Sequence, residues 1–211
     1  MTLRLNGSNS GFTEVKAPAT AGNNTLTLPT SNGSAGQVLK NGSTAGTLEF
    51  GALPTSGYTD YGSTVTTSGN THTVTGLETS HTHFIITFQG VSVSGTTTPQ
   101  IVAQIGNGSL SNSGYTGSLQ SGSGGQQFGA ATDIDLTHTS FANAGNEFSG
   151  ALQIFCNSND SVVGTWILFS SIANAPMYGA FRWTTGTTID RFSLQTPATA
   201  FDSGRFDIFS R

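Results

Sequence analysis

From residue 41 to residue 181 the chain has neither lysine nor arginine, yet Glu49, Asp60, Glu78, Asp133, Asp135, Glu147 and Asp160 all fall in that span. A surface without a basic face gains nothing from releasing the counterions of a nucleic acid, and nothing from an anionic bilayer. Charge therefore argues against both partners. Charged residues make up only 9% of the chain, and 28 glycines are spread through its 211 residues, a combination that disfavours helical folds. No apolar run approaches the ~20 residues of a membrane-spanning helix. The opening Met1-Thr-Leu-Arg-Leu-Asn6 lacks the basic start and continuous apolar stretch of a secretory signal, so the expectation is synthesis in the cytosol and a soluble product. Cys156 stands alone and forms no intrachain disulfide. Alternation along Leu152-Gln-Ile-Phe-Cys156 places it with Leu152 and Ile154, as a buried and unreactive thiol.

What is present is β-sheet chemistry. The first fifty residues are short alternating pieces such as Thr25-Leu-Thr-Leu28, Gln37-Val-Leu-Lys40 and Thr47-Leu-Glu-Phe50, and Asn-Gly-Ser recurs at Asn6, Asn32 and Asn41. Asn-Gly readily takes the positive φ angles of tight hairpins. Each piece is too short to make a sheet with its own core. Residues 51–70 carry few large apolar side chains and read as a linker. From residue 71 onward longer runs appear, among them Phe84-Ile-Ile-Thr-Phe88, Thr165-Trp-Ile-Leu-Phe169 and Arg205-Phe-Asp-Ile-Phe209. Short strands at regular spacing, with Gly and Ser turns between them, predict an antiparallel, jelly-roll-like β-sandwich over residues 71–211. Trp166 belongs to its core. The Ser- and Gly-rich segment from Asn107 to Gly129 reads as a long surface loop.

Few residues suggest chemistry. His81 and His83 flank Thr82, and on a strand they would share a face, a spacing that lets both imidazoles address one metal ion. Ordinary exposed strand histidines are the preferred alternative. Asp133-Ile-Asp135 and Asn157-Ser-Asn-Asp160 offer hard oxygen ligands but lack the calcium-loop pattern with its central Gly and terminal Glu, so hairpin turns explain them better. No Gly-x-Ser-x-Gly elbow, P-loop or dinucleotide-binding fingerprint occurs, and no carboxylate pair stands out for glycoside cleavage. The expectation is a protein that is not an enzyme. Tyr115, Phe128, Tyr178 and Trp183 lie near turns, where aromatic faces can meet a sugar ring or a protein. The loop rings Tyr115 and Phe128 are the nominated contacts, flanked by neutral Ser, Asn and Gln that suit an uncharged glycan.

The opening segment Leu5-Asn-Gly-Ser-Asn-Ser-Gly-Phe-Thr-Glu-Val-Lys-Ala-Pro-Ala-Thr-Ala-Gly-Asn-Asn-Thr-Leu-Thr-Leu-Pro29, with Gly36-Gln-Val-Leu-Lys40 and Gly46-Thr-Leu-Glu-Phe50 after it, resembles an N-terminal module of virion structural proteins of tailed phages, especially phages of marine cyanobacteria. Phe88-Gln-Gly-Val-Ser-Val-Ser-Gly-Thr96, Ile189-Asp-Arg-Phe-Ser-Leu-Gln-Thr196 and Phe201-Asp-Ser-Gly-Arg-Phe-Asp-Ile208 are similar to the β-sandwich often joined to that module.

The resemblance implies a homotrimeric tail-fibre adhesin. Its arm, residues 1–50, would dock on another virion protein, and its sandwich would contact a host surface glycan or protein. A capsid-surface decoration protein is the alternative. Either would be assembled in the host cytoplasm and found on the virion. In a trimer, Leu26, Leu28, Val38 and Leu39 could bury against one another. Burying one Leu yields roughly 1.5 to 3 kcal/mol, too little in a lone arm to offset backbone ordering. Three chains would also bring the His81 and His83 pairs together as six nitrogens around a transition-metal ion on the axis, as known phage fibres do with His-x-His pairs.

Overall fold

The computed structural model describes residues 3–6, 8–15, 20, 22–23, 25–52, 57–95, 100–122, 124–138, 145–157, 161–171, 175–197 and 199–211. Among these the fold is all-β, without helix, and divides into two compact units, residues 1–56 and 57–211.

The first unit holds two hairpins. β1 (Leu3–Asn6) pairs with β2 (Phe12–Val15), and β3 (Gln37–Asn41) pairs with β4 (Leu48–Ala52). Residues opposite each other carry opposite charge: Arg4 lies 2.7 Å from Glu14 with its guanidinium over the Phe12 ring, and Lys40 lies 3.3 Å from Glu49. Such exposed pairs are worth a fraction of a kcal/mol. No residue of this unit whose side chain is described is buried. Leu26 is 64% exposed, Leu28 67% and Leu39 48%, with Val38 half-buried, so the four residues expected to form the arm core have no core within one chain.

The second unit begins with β5 (Thr59–Val65), β6 (Thr71–Thr75), β7 (His83–Val93), β8 (Val102–Asn107), β9 (Ser109–Leu110), β10 (Tyr115–Ser121) and β11 (Gly124–Ala131). It continues through β12 (Ile134–Asp135), β13 (Phe148–Asn157), β14 (Ser161–Ser170), β15 (Ala175–Trp183), β16 (Arg191–Gln195) and β17 (Phe201–Ser210). One sheet has the order β11-β10-β15-β14-β13-β7-β17-β5 and the other β12-β8-β16-β6 with β9 on β8, all pairs being antiparallel. Alternation turns Phe84, Ile86, Leu152, Ile154, Trp166, Leu168, Phe206 and Ile208 of the large sheet inward, against Ile105, Phe192 and Leu194 of the small one. The Phe192 and Phe206 rings meet edge to face at 5.6 Å, and the indole N–H of Trp166 donates to the Leu136 carbonyl at 3.1 Å. Cys156 is buried beside Ile154 as the alternation required, and burial pushes its thiol up to about 11.

The expected linker is not one. Residues 51 and 52 end β4, and β5 is an edge strand of the large sheet, bonded to β17. An edge strand with one solvated face needs few large apolar side chains. Here Tyr61 packs on the core and Thr66 is fully buried just beyond the strand, which is why the segment passed for a connector. A close approach fixes one residue type: Gly204, at φ +91° in the irregular part of the β7–β17 ladder, lies so near the Gly90 backbone that any Cβ would overlap it.

Candidate functional site

The segment from Asn107 to Gly129 is mostly sheet rather than loop: β10 and β11 form one end of the large sheet, and β9 pairs with β8 of the small one. This overturns the contact role expected for Tyr115 and Phe128. Tyr115 is fully buried and Phe128 is 9% exposed, because on β10 and β11 the apolar residues Tyr115, Leu119 and Phe128 face the core while Thr116, Ser118, Gln120 and Gln127 face solvent. The Phe128 ring lies against Gly117, its register partner. Tyr115 stacks on Trp183 at 6.2 Å. Its hydroxyl donates to the Ile105 carbonyl at 2.8 Å and accepts the Ile105 N–H at 2.9 Å, joining the two sheets, and burial pushes the phenol up to about 12.

Each histidine has its own partners within the chain. His81 precedes β7 and its Nδ1 lies 2.6 Å from the Ser210 hydroxyl, whereas Nδ1 of His83 lies 3.0 Å from the Tyr58 hydroxyl with its ring stacked on Phe155 at 4.5 Å. Among the described residues of one chain, no group of three or more metal-ligating side chains converges. Asp133 and Asp135 do not form the expected hairpin turn. Asp135 pairs with Val102 in the β12–β8 ladder and is buried, its carboxylate accepting from Gln126 Nε2 at 3.0 Å. Burial, then the charge of Asp133, pushes it up to about 6. In the Asn157 to Asp160 motif, positions 158–160 lie outside the described residues.

The structure instead brings two connections together at one end of the sandwich. The residues around β9, from Asn107 to Ser113, face the connection from β15 to β16, from Trp183 to Thr188, across a cleft of about 520 Å³. Hydrogen bonds tie the two walls: Asn107 Nδ2 donates to Thr188 Oγ1 at 2.8 Å, and the N–H of Thr184 donates to the Gly114 carbonyl at 3.2 Å. Asp190 anchors the base, receiving the Gly108 N–H at 3.1 Å, while hydrogen bonding to Arg191 holds its carboxyl below the usual carboxylate range. Gly186 lies against the edge of the Trp183 indole so closely that a Cβ would overlap the ring.

The lining has a narrow chemical character. Asn107, Ser109, Asn112, Thr185 and Thr187 offer hydroxyls and amides, and no lining residue is charged. Trp183 borders the cleft, is 4% exposed, and its indole N–H is buried without an acceptor among the described residues. Such a cleft suits an uncharged, hydroxyl-rich molecule. Of the four aromatic residues that the sequence places near turns, Tyr115, Phe128 and Trp183 are buried and only Tyr178 is exposed. The missed signal was Trp183-Thr-Thr-Gly-Thr-Thr188, a run of hydroxyls leaving a core strand. Compared with known proteins, the chain matches no family model, no curated protein and no solved structure.

Proposed function

We propose that the chain is a structural protein of a tailed-phage virion: a trimeric tail-fibre adhesin whose first unit docks on the particle and whose sandwich meets a neutral glycan of the host surface, without catalytic turnover. One observation carries this reading, the contrast between the two units. The first exposes Leu26, Leu28 and Leu39 and buries none of its described side chains, as befits a segment completed by other chains. The second has a continuous core of its own. The resemblance of the first fifty residues to a phage attachment module agrees with that division. The cleft beside Trp183 replaces Tyr115 and Phe128 as the contact site, because rigid sheets position its walls and its polar groups face a solvent-open space.

The composition and behaviour of the particle test the proposal. Quantitative mass spectrometry of purified virions is expected to find the few copies that tail positions provide. Copies on the scale of the capsid lattice would make the chain an ornament, and absence from the particle would overturn the reading. Thr187→Trp, which fills the cleft from an exposed position, is expected to lower adsorption to host cells by about tenfold, equivalent to ~1.4 kcal/mol of contact, with melting temperature unchanged. Unaltered adsorption would remove the cleft from the contact.

A further inference from the structure

A sandwich needs apolar residues only on the inner face of each sheet, and the outer positions are ordinarily polar. The large sheet breaks this rule at its centre. β14 turns Val162, Trp166 and Leu168 inward, yet its outward positions are Val163, Thr165, Ile167 and Phe169. Phe155 of β13 lies opposite Val163, and Tyr178 of β15 opposite Ile167. The five apolar side chains among these, Val163, Ile167, Phe169, Phe155 and Tyr178, are between 40% and 57% exposed. β14 is thus built like a strand covered on both sides, with a cover on only one.

We infer that this outer face of β13, β14 and β15 packs against the same face of further copies of the chain. Two quantities favour a copy. Aromatic side chains offer ~150–250 Å² each, so the exposed fractions of these five residues sum to an apolar patch on the order of 400 Å². A standard interface removes about 800 Å² from each partner, somewhat more than half of it apolar, so the patch supplies about what one side requires. The second quantity is charge. Across the outward positions of the three strands, Arg182 at the end of β15 is the one charge among the described residues, flanked by neutral Ser149, Gln153, Thr165 and Ala180. A face laid on its own copy confronts every charge with itself, so neutrality removes the main obstacle to self-packing in a chain of net charge −4. Three copies can turn this face toward one axis as the walls of a prism. In stoichiometry alone, the inference rests on the trimer proposed above.

The test is sedimentation of the full chain across a micromolar concentration series, with Ile167→Glu/Tyr178→Glu as the face variant and Thr71→Glu/Thr75→Glu, on β6 of the other sheet, as the control. The parent and the control are expected to sediment as an oligomer. The face variant is expected as a monomer with unchanged near-ultraviolet circular dichroism, its dissociation constant raised at least about a hundredfold, since two buried charges are left unpaired. Should the double charge prevent folding, Ile167→Ser, read the same way, decides the matter. A face variant as oligomeric as the parent overturns the inference and assigns assembly to the first unit. A monomeric parent that binds a hydrophobic dye overturns it in favour of a different partner, and a monomeric parent that binds none overturns it in favour of cover by the chain's own residues. Presence on the virion is measured separately, so either proposal can fail alone.

Discussion

Tyr115→Ala is expected to destabilise the sandwich by about 3–5 kcal/mol, among the largest losses available to a single substitution. Two contributions add. The ring is fully buried against Trp183, so truncation leaves a cavity between the sheets. The hydroxyl also serves as a partner for backbone. β12 covers β8 only at Val102 and Ala103, and beyond that point the Tyr115 hydroxyl takes both the N–H and the carbonyl of Ile105, as a neighbouring strand's peptide would. The Ile105 carbonyl keeps a second donor, the Ser111 N–H at 3.0 Å, whereas the Ile105 N–H bonds to the Tyr115 hydroxyl itself. Tyr115→Phe, which keeps the ring, should therefore cost about 1–3 kcal/mol, the penalty for a buried donor left unsatisfied. Urea unfolding of the two variants measures both. A loss below 1 kcal/mol for Tyr115→Ala, together with reduced adsorption to cells, would restore the surface role that its burial removes.

The second large effect depends on pH. The folded Asp135 carboxyl titrates at about 6 against an ordinary 3.8, so the folded state binds the proton more tightly than the unfolded chain. Below both values the group is protonated in either state and has no effect on stability. As pH rises between them the unfolded chain ionises first, and the sandwich loses up to about 3 kcal/mol, a penalty that persists at higher pH. Asp135→Asn keeps an acceptor for Gln126 and cannot ionise. The stability difference between variant and parent should therefore be near zero at about pH 3.5 and grow to about 3 kcal/mol in favour of Asn near pH 8. Parallel pH profiles for the two proteins would show that Asp135 is not the group responsible.

The strand alternation that placed Leu152, Ile154, Cys156 and Trp166 in the core was legible in the sequence, because a large apolar residue at every second position has one physical solution. The same alternation was present at Tyr115, Leu119 and Phe128 but passed unread. There, the outward positions are Thr, Ser, Gln and Gly, the composition of loops, and a strand at a sheet edge carries too little apolar matter to stand out. β5 was lost for the same reason. The cleft was beyond reach because it depends on two connections about eighty residues apart in the chain, joined by the Asn107–Thr188 bond. Local pattern carries no information about which distant turns share an end of a sandwich. His81 and His83 lie close in the sequence, yet within one chain their Nδ1 atoms meet Ser210 and Tyr58, neither of them a sequence neighbour.

The order of strands has a consequence in time. β17, the last of the described strands, lies between β7 and β5, and β5 has no other neighbour in its sheet. The hydroxyl pair Tyr61 and Ser210 is separated by 149 residues of sequence, and the pairing of β17 with β5 spans the whole unit. On a ribosome adding residues one at a time, β5 and β7 leave the tunnel early and wait with unpaired backbone until β17 follows. Closing so long a loop is costly before any contact rewards it, so the sheet closes slowly and only once β17 has been made. Until then β7 presents an open hydrogen-bonding edge bearing Phe84, Ile86 and Phe88. In that interval neighbouring nascent chains compete with β17 for β7, so the yield of native protein depends on how crowded the translating message is.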